Sequence, residues 1–257
     1  MAFIPVLLLL AFTIGTAFYV ILTNDYVWSD VSLDLLASPS NKLIPGFYLL
    51  IFRISAMFAI LSVCILIYVD SPLQLDILTR DGVLKRVSIE KLQRFSTFTV
   101  WSWCLQGIYF ILASICSIDF LYDTSLLSPA VRSVTMVLYE VSFSMSFLVT
   151  IIVTFILIPS GIKTGQQTDV FFGFASLCMH NLNVILMSIE SILSNLSFNL
   201  WHIPFVILYG CSYVIFSWYW YKLNGVFYYF FLDFGRKYAV WWHLGLIFMV
   251  SLSIESK

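Results

Sequence analysis

Residues 44–69 read IPGFYLLIFRISAMFAILSVCILIYV, 26 consecutive positions with a single charge, Arg53. A helix of about 20 apolar residues crosses the hydrocarbon core of a bilayer, so this stretch is long enough to span. It has no period-two alternation, which sets it apart from a barrel strand and leaves the helix as the form that satisfies its own backbone in lipid. Six further runs share this character: 3–22, 97–118, 134–158, 170–193, 200–221 and 238–254. The chain carries 13 Lys+Arg and 14 Asp+Glu, and of these only Arg53, Glu140 and Glu190 fall inside the seven runs. Lipid imposes that exclusion of charge. The 257 residues are 61% hydrophobic and 11% charged, with a mean hydropathy of +0.96. A soluble globular domain carries about 25% charge and is excluded. The expected fold is an all-α polytopic membrane bundle of seven spans, a single transmembrane domain over 1–257 without linker or internal repeat. The last run is the shortest and holds His243. Six spans with a re-entrant or interfacial C-terminus is therefore the alternative.

The first run exceeds a secretory h-region and no basic residue precedes it, so it reads as a retained span. Orientation follows from Lys and Arg in the short connections. With the N-terminus in the cytosol, Arg80, Lys85, Arg86, Lys91, Arg94, Lys163, Lys222, Arg236 and Lys237 are cytosolic, against Lys42, Arg132 and Lys257 on the other side. The expectation is an integral multi-pass protein of the endoplasmic reticulum or plasma membrane, N-terminus cytosolic. In the cytosolic loop 70–94, Asp81 and Gly82 fit a short hairpin, while Leu84, Val87, Leu92 and Phe95 fit one face of an interfacial helix, and both forms stay open. A net charge of −1 and a pI near 6.3 offer no field for nucleic acid and leave membrane lipids as the expected partners. Cys64, Cys104, Cys116, Cys178 and Cys211 all lie in apolar runs and read as small buried hydrophobes, so no disulfide framework, metal site or cofactor is expected.

The signatures G-x-S-x-G, H-E-x-x-H, G-x-G-x-x-G and the Walker loop are absent, which turns attention to polar groups inside lipid. Arg53 lies about nine residues in from the non-cytosolic end of its run and Glu140 about as far in from that of the wider run 131–158, so both sit roughly 13 Å deep and are expected to form an intramembrane ion pair that sets helix register. The span VFFGFASLCMHNLNVILMSIESIL (170–193) is the most polar at its centre. Ser176, His180, Asn183 and Met187 share one face at i, i+4, i+7, i+11 spacing. For His180 two readings stand: a neutral residue tying helices together, or a catalytic base. Trp and Tyr gathered near span ends read as an interfacial belt.

Three motifs carry a resemblance. Met179 and His180 are followed by Glu190 ten residues after the histidine; YGCSYVIFSWYWYKLNGVFYYFFLD (209–233) contains Gly225, Tyr229 and Asp233; and in FTVWSWCLQG (98–107) Thr99 stands seven residues before Gln106. Together these resemble the androgen-induced protein and androgen-dependent TFPI-regulating protein family and its rolling-stone relatives, over roughly residues 93–254. The resemblance implies a multi-spanning membrane protein that hydrolyses fatty acid esters of hydroxy fatty acids, with Thr99 as nucleophile and His180 as base. Ser176, Asn183 and Gln106 are then candidates for a polar water route, and Glu190 for a cap at the non-cytosolic end of its helix. The rolling-stone branch implies the other class, a non-catalytic membrane protein acting in adhesion, fusion or as a subunit of an assembly. From the run boundaries, His180 sits roughly 12 Å deeper than Thr99. The pair is expected to meet only if the Thr99 helix starts near Ser88–Lys91 or the His180 helix is tilted or broken at Gly173.

Overall fold

A computed structural model describes residues 3–28, 30–125 and 127–252. The elements are α1 (Phe3–Thr23), α2 (Leu33–Ala37), α3 (Gly46–Val69), β1 (Leu73–Leu78), β2 (Leu84–Ile89), α4 (Phe98–Tyr122), α5 (Pro129–Thr164), α6 (Phe174–Leu193), α7 (Leu200–Asn224) and α8 (Ala239–Leu252), joined by short 3-10 turns. Six of these helices, α1 and α3 to α7, are long and apolar enough to cross a membrane. α8 has 14 residues, about 21 Å of helix, which falls short of a ~30 Å hydrocarbon core. The described residues of α8 do not by themselves make a seventh crossing, and residues 253–254 of the last run lie outside the described residues.

The bundle buries its intramembrane charges within an apolar core and turns large apolar side chains outward. Leu8, Phe12, Phe58, Phe155 and Ile192 are exposed, while Arg53, Glu140 and Glu190 are fully buried. Lipid explains this inversion, because apolar side chains lose nothing by facing acyl tails and polar groups must find partners within the protein. α3 packs on α4, α4 on α5, α1 on α7 and α8, and α5 on α6 and α7.

Two long helices contain a wide π turn, Val153–Leu157 in α5 and Cys178–Leu182 in α6. The first lies just before Pro159, whose ring would clash with the carbonyl four residues back and which has no N–H to give. A turn of i→i+5 bonds absorbs that conflict. In the second, the Asn183 N–H donates to Cys178 O, and Thr150 Oγ1 donates to His180 O at 2.5 Å. A neighbouring helix so provides a donor for a carbonyl in the widened turn.

The loop 70–94 forms a hairpin and not an interfacial helix. β1 and β2 pair antiparallel from Leu73↔Ile89 to Leu78↔Leu84. Gly82 takes φ +76° in the turn, a conformation that L side chains rarely adopt. The hairpin docks across one end of the bundle. Arg80 Nε donates to Asp233 Oδ1 at 2.8 Å, Arg236 Nη2 to Leu78 O at 2.8 Å, and Gln166 Nε2 to Asp76 O at 2.6 Å. Behind it, buried Arg94 donates to Ile67 O at 2.8 Å and so serves one of the orphan carbonyls at the end of α3. At the opposite end, residues 38–40 pair with 193–195, including an isolated bridge Pro39↔Ser194.

Candidate functional site

Thr99 is the second residue of α4, and α4 begins at Phe98, not near Ser88–Lys91. On the other side of the bundle Gly173, in extended conformation, is the N-cap of α6, so the helix starts at Phe174 and His180 is its seventh residue. The offset along the helices shrinks to about 8 Å. Thr99 and His180 line one cavity beneath the hairpin, together with Ser176, Asp76, Arg94, Gln166 and Tyr229. Both are buried, and His180 Nδ1 has no hydrogen-bond partner among the described residues. The Phe171 ring lies 5.9 Å from the imidazole and closes that side. Ser176 Oγ donates to Val170 O at 2.6 Å, which ties the start of α6 to the preceding loop.

A second cavity adjoins the first through Thr99, Leu157 and Tyr229, which line both. Aliphatic side chains of α1, α5, α7 and α8 form its wall, from Val6 and Leu10 to Val149, Ile152, Ile207 and Ile247. Thr99 therefore stands where a chamber of mixed polarity meets an apolar one.

The Tyr229 phenol accepts the Phe98 N–H at 3.1 Å and lines both cavities together with Thr99. Burial raises its pKa, so it remains a protonated donor at neutral pH. Tyr213 backs it, with rings 6.0 Å apart, and donates to Ser96 O at 3.0 Å. Besides the Cys211 thiol, the remaining titratable group in the apolar cavity is His243. Its Nδ1 sits 2.8 Å from Ala239 O. A carbonyl can only accept, so Nδ1 carries the proton and Nε2, which has no partner among the described residues, presents a lone pair. In the sequence His243 marks only an interruption of the last apolar run. Its signal was the pairing of a histidine with a carbonyl one turn earlier, which a hydropathy run does not reveal.

Gln106 and Asn183 line neither cavity. Gln106 Nε2 donates to Asn183 O at 3.0 Å, and Thr150 Oγ1 lies 3.3 Å from Asn183 Oδ1. They are ties among α4, α5 and α6, so the expected water route through them is corrected to a packing role, and of that group only Ser176 reaches the His180 cavity. The π turn explains the difference: the extra residue in the turn rotates the helix face, so His180 and Asn183 no longer share a direction.

Arg53 pairs with Glu190, not with Glu140. Its Nη2 and Nε donate to Glu190 Oε1 at 2.6 and 3.0 Å, Nη1 to Ser117 Oγ at 2.7 Å and Ala113 O at 3.0 Å, and Nη2 to Leu36 O at 2.8 Å. Tyr109 adds a bond to the same carboxylate oxygen at 2.8 Å. Glu190 is thus the counter-ion of a buried arginine and not a helix cap. Glu140 belongs to the end opposite the hairpin, where Oε2 meets His202 Nδ1 at 2.6 Å and Oε1 accepts the Asn199 N–H at 2.7 Å. Equal depth placed the two charges on a level, but α3 packs against α4 and α6, which brings Glu190 and not Glu140 to Arg53.

No group of three or more His, Cys, Asp or Glu able to hold a metal occurs among the described residues. Protein-family models, curated proteins and solved structures, each compared with the chain, give no match.

Proposed function

We propose that the protein is an intramembrane lipid-ester hydrolase with Thr99 as nucleophile and His180 as base. The observation that carries the reading is the position of Thr99 between a cavity of mixed polarity that holds His180, Asp76, Arg94 and Gln166 and an apolar cavity inside the bundle. An amphiphilic ester needs both environments at its scissile bond. The resemblance to the androgen-induced protein family supplies the substrate class, fatty acid esters of hydroxy fatty acids.

In this mechanism the Thr99 hydroxyl attacks the ester carbonyl carbon and gives its proton to His180. Tyr229 donates to the oxygen that gains charge. Collapse breaks the ester C–O bond, the departing hydroxy fatty acid takes the proton from His180, and an acyl-threonine remains. Water from the His180 cavity, deprotonated by His180, then releases the fatty acid and restores Thr99. The nine Lys and Arg at the hairpin end, against Lys42 and Arg132 among the described residues at the other, support a cytosolic hairpin end and N-terminus in the endoplasmic reticulum or plasma membrane.

The test is turnover of such an ester by the purified protein in detergent or vesicles. Thr99→Ala and His180→Ala should each abolish hydrolysis while the thermal melt stays near that of the parent. Tyr229→Phe should lower kcat by about 100-fold or more, as loss of one oxyanion donor does elsewhere. Turnover retained in either alanine variant overturns the assignment in favour of the non-catalytic class.

A further inference from the structure

We infer that the apolar cavity is the binding site for the acyl arm of the ester, with the carbonyl carbon at Thr99, and that Gly210 sets how long an arm it accepts. This rests on the hydrolase reading above. The cavity is elongated along the helices: its wall on α5 runs from Leu157 to Leu148, about 13 Å of rise. Its polar groups gather at one end. Thr99 and Tyr229 are there, Tyr213 sends its hydroxyl toward Ser96, and His243 lies one turn into α8. Beyond them the wall is formed by Val6, Leu148, Val149, Ile207 and Ile247. A headgroup or a second polar ester arm would leave its acceptors unpaired against such a wall, whereas an acyl chain fits it.

On α7 the cavity is lined by Ile207, Gly210, Cys211 and Val214, an i, i+3, i+4, i+7 stripe on one face. Gly210 is the gap in that stripe. A Cβ built there meets no atom within 4 Å, so a larger side chain enters empty space and not a packed neighbour. Gly210 lies about one turn, roughly 5 Å, below Tyr213, whose ring packs on Phe98 beside the nucleophile at 4.9 Å. A leucine at 210 would therefore block the chain a few carbons past the carbonyl and leave the reacting end free.

The experiment measures kcat/KM for esters whose acyl arm grows from four to sixteen carbons, in the parent, Gly210→Ala, Gly210→Leu and Gly245→Leu. Gly245 is on α8, has the same open surroundings and does not line the cavity. Gly210→Leu should cut hydrolysis of the longest arms by about 10-fold or more relative to the shortest, Gly210→Ala should shift the profile the same way to a smaller degree, and Gly245→Leu should keep the parent profile. In parallel, a sixteen-carbon ester bearing a terminal diazirine is photolysed with Thr99→Ala protein, which binds without turnover. Labelled peptides should fall in 148–157 and 207–214, and Gly210→Leu on the same background should lose them. If the parent hydrolyses esters but Gly210→Leu leaves the length profile unchanged, or lowers every length equally, the inference falls and the hydrolase reading stands. If no ester is hydrolysed by the parent while the diazirine still labels those peptides, the hydrolase reading falls and the acyl site stands. Labelling confined to other helices overturns the acyl site.

Discussion

Arg53 carries its charge at 0% exposure, and among the described residues only Glu190 pairs with it. Two of its five hydrogen bonds reach Glu190 Oε1, and the other three end on the neutral acceptors Ala113 O, Ser117 Oγ and Leu36 O. Glu190→Gln keeps the side-chain shape and removes the counter-charge, which leaves a buried guanidinium unpaired at a cost of about 3–5 kcal/mol. Arg53→Met strands the carboxylate at a similar cost. The double variant strands neither charge. Its main loss is the donor to Leu36 O, since Ala113 O still receives the Ser117 hydroxyl at 3.1 Å, and one unsatisfied carbonyl costs about 1–3 kcal/mol. The double should therefore be more stable than either single by about 2 kcal/mol, or roughly 4–8 °C in Tm. Thermal denaturation in detergent micelles reads this directly. Arg53→Met combined with Glu140→Gln is the control, and should equal the sum of its parts to within about 0.5 kcal/mol, because Glu140 is held by His202 and Asn199. If the Arg53 and Glu190 losses simply add, the ion pair contributes nothing and the reasoning fails.

Two further predictions concern the hairpin. The Arg86 side chain and the Gln167 N–H hold the Asp76 carboxyl below its ordinary pKa. Its contribution to docking is thus complete above about pH 4 and lost as pH falls through the lowered folded value. Amide exchange of 73–89, corrected for intrinsic rate, should accelerate on acidification in the parent and lose that dependence in Asp76→Asn; an unchanged dependence would remove Asp76 from the account. For topology, Asp81→Cys at the exposed turn should react with an impermeant maleimide only after permeabilisation, since the native cysteines are buried or half-buried. Labelling in intact cells would reverse the orientation.

The helices were legible from the amino-acid order because spanning is a one-dimensional property. An apolar run of sufficient length, purged of charge, has one way to sit in lipid, and α3 follows its run 44–69 to within two residues. His180 stood out in the sequence at the polar centre of its span, whereas Thr99 was legible only through the resemblance, since no periodicity distinguishes a serviceable threonine from a packing one. What brought them to one cavity was tertiary: the start of α6 after Gly173, the π turn at Cys178–Leu182 that re-aims the His180 side chain, and the hairpin that roofs the space. The partner of Arg53 was tertiary as well. Depth along a span follows from counting residues, and it put Arg53 and Glu140 on a level. Rotation about the helix axis and the choice of neighbour follow from side-chain packing across helices far apart in sequence, and these brought Glu190 to Arg53, 137 positions away, and gave Glu140 to His202. A bilayer constrains the first coordinate strongly because water and lipid differ so much. It leaves the others to contacts between side chains, which no single run of sequence contains.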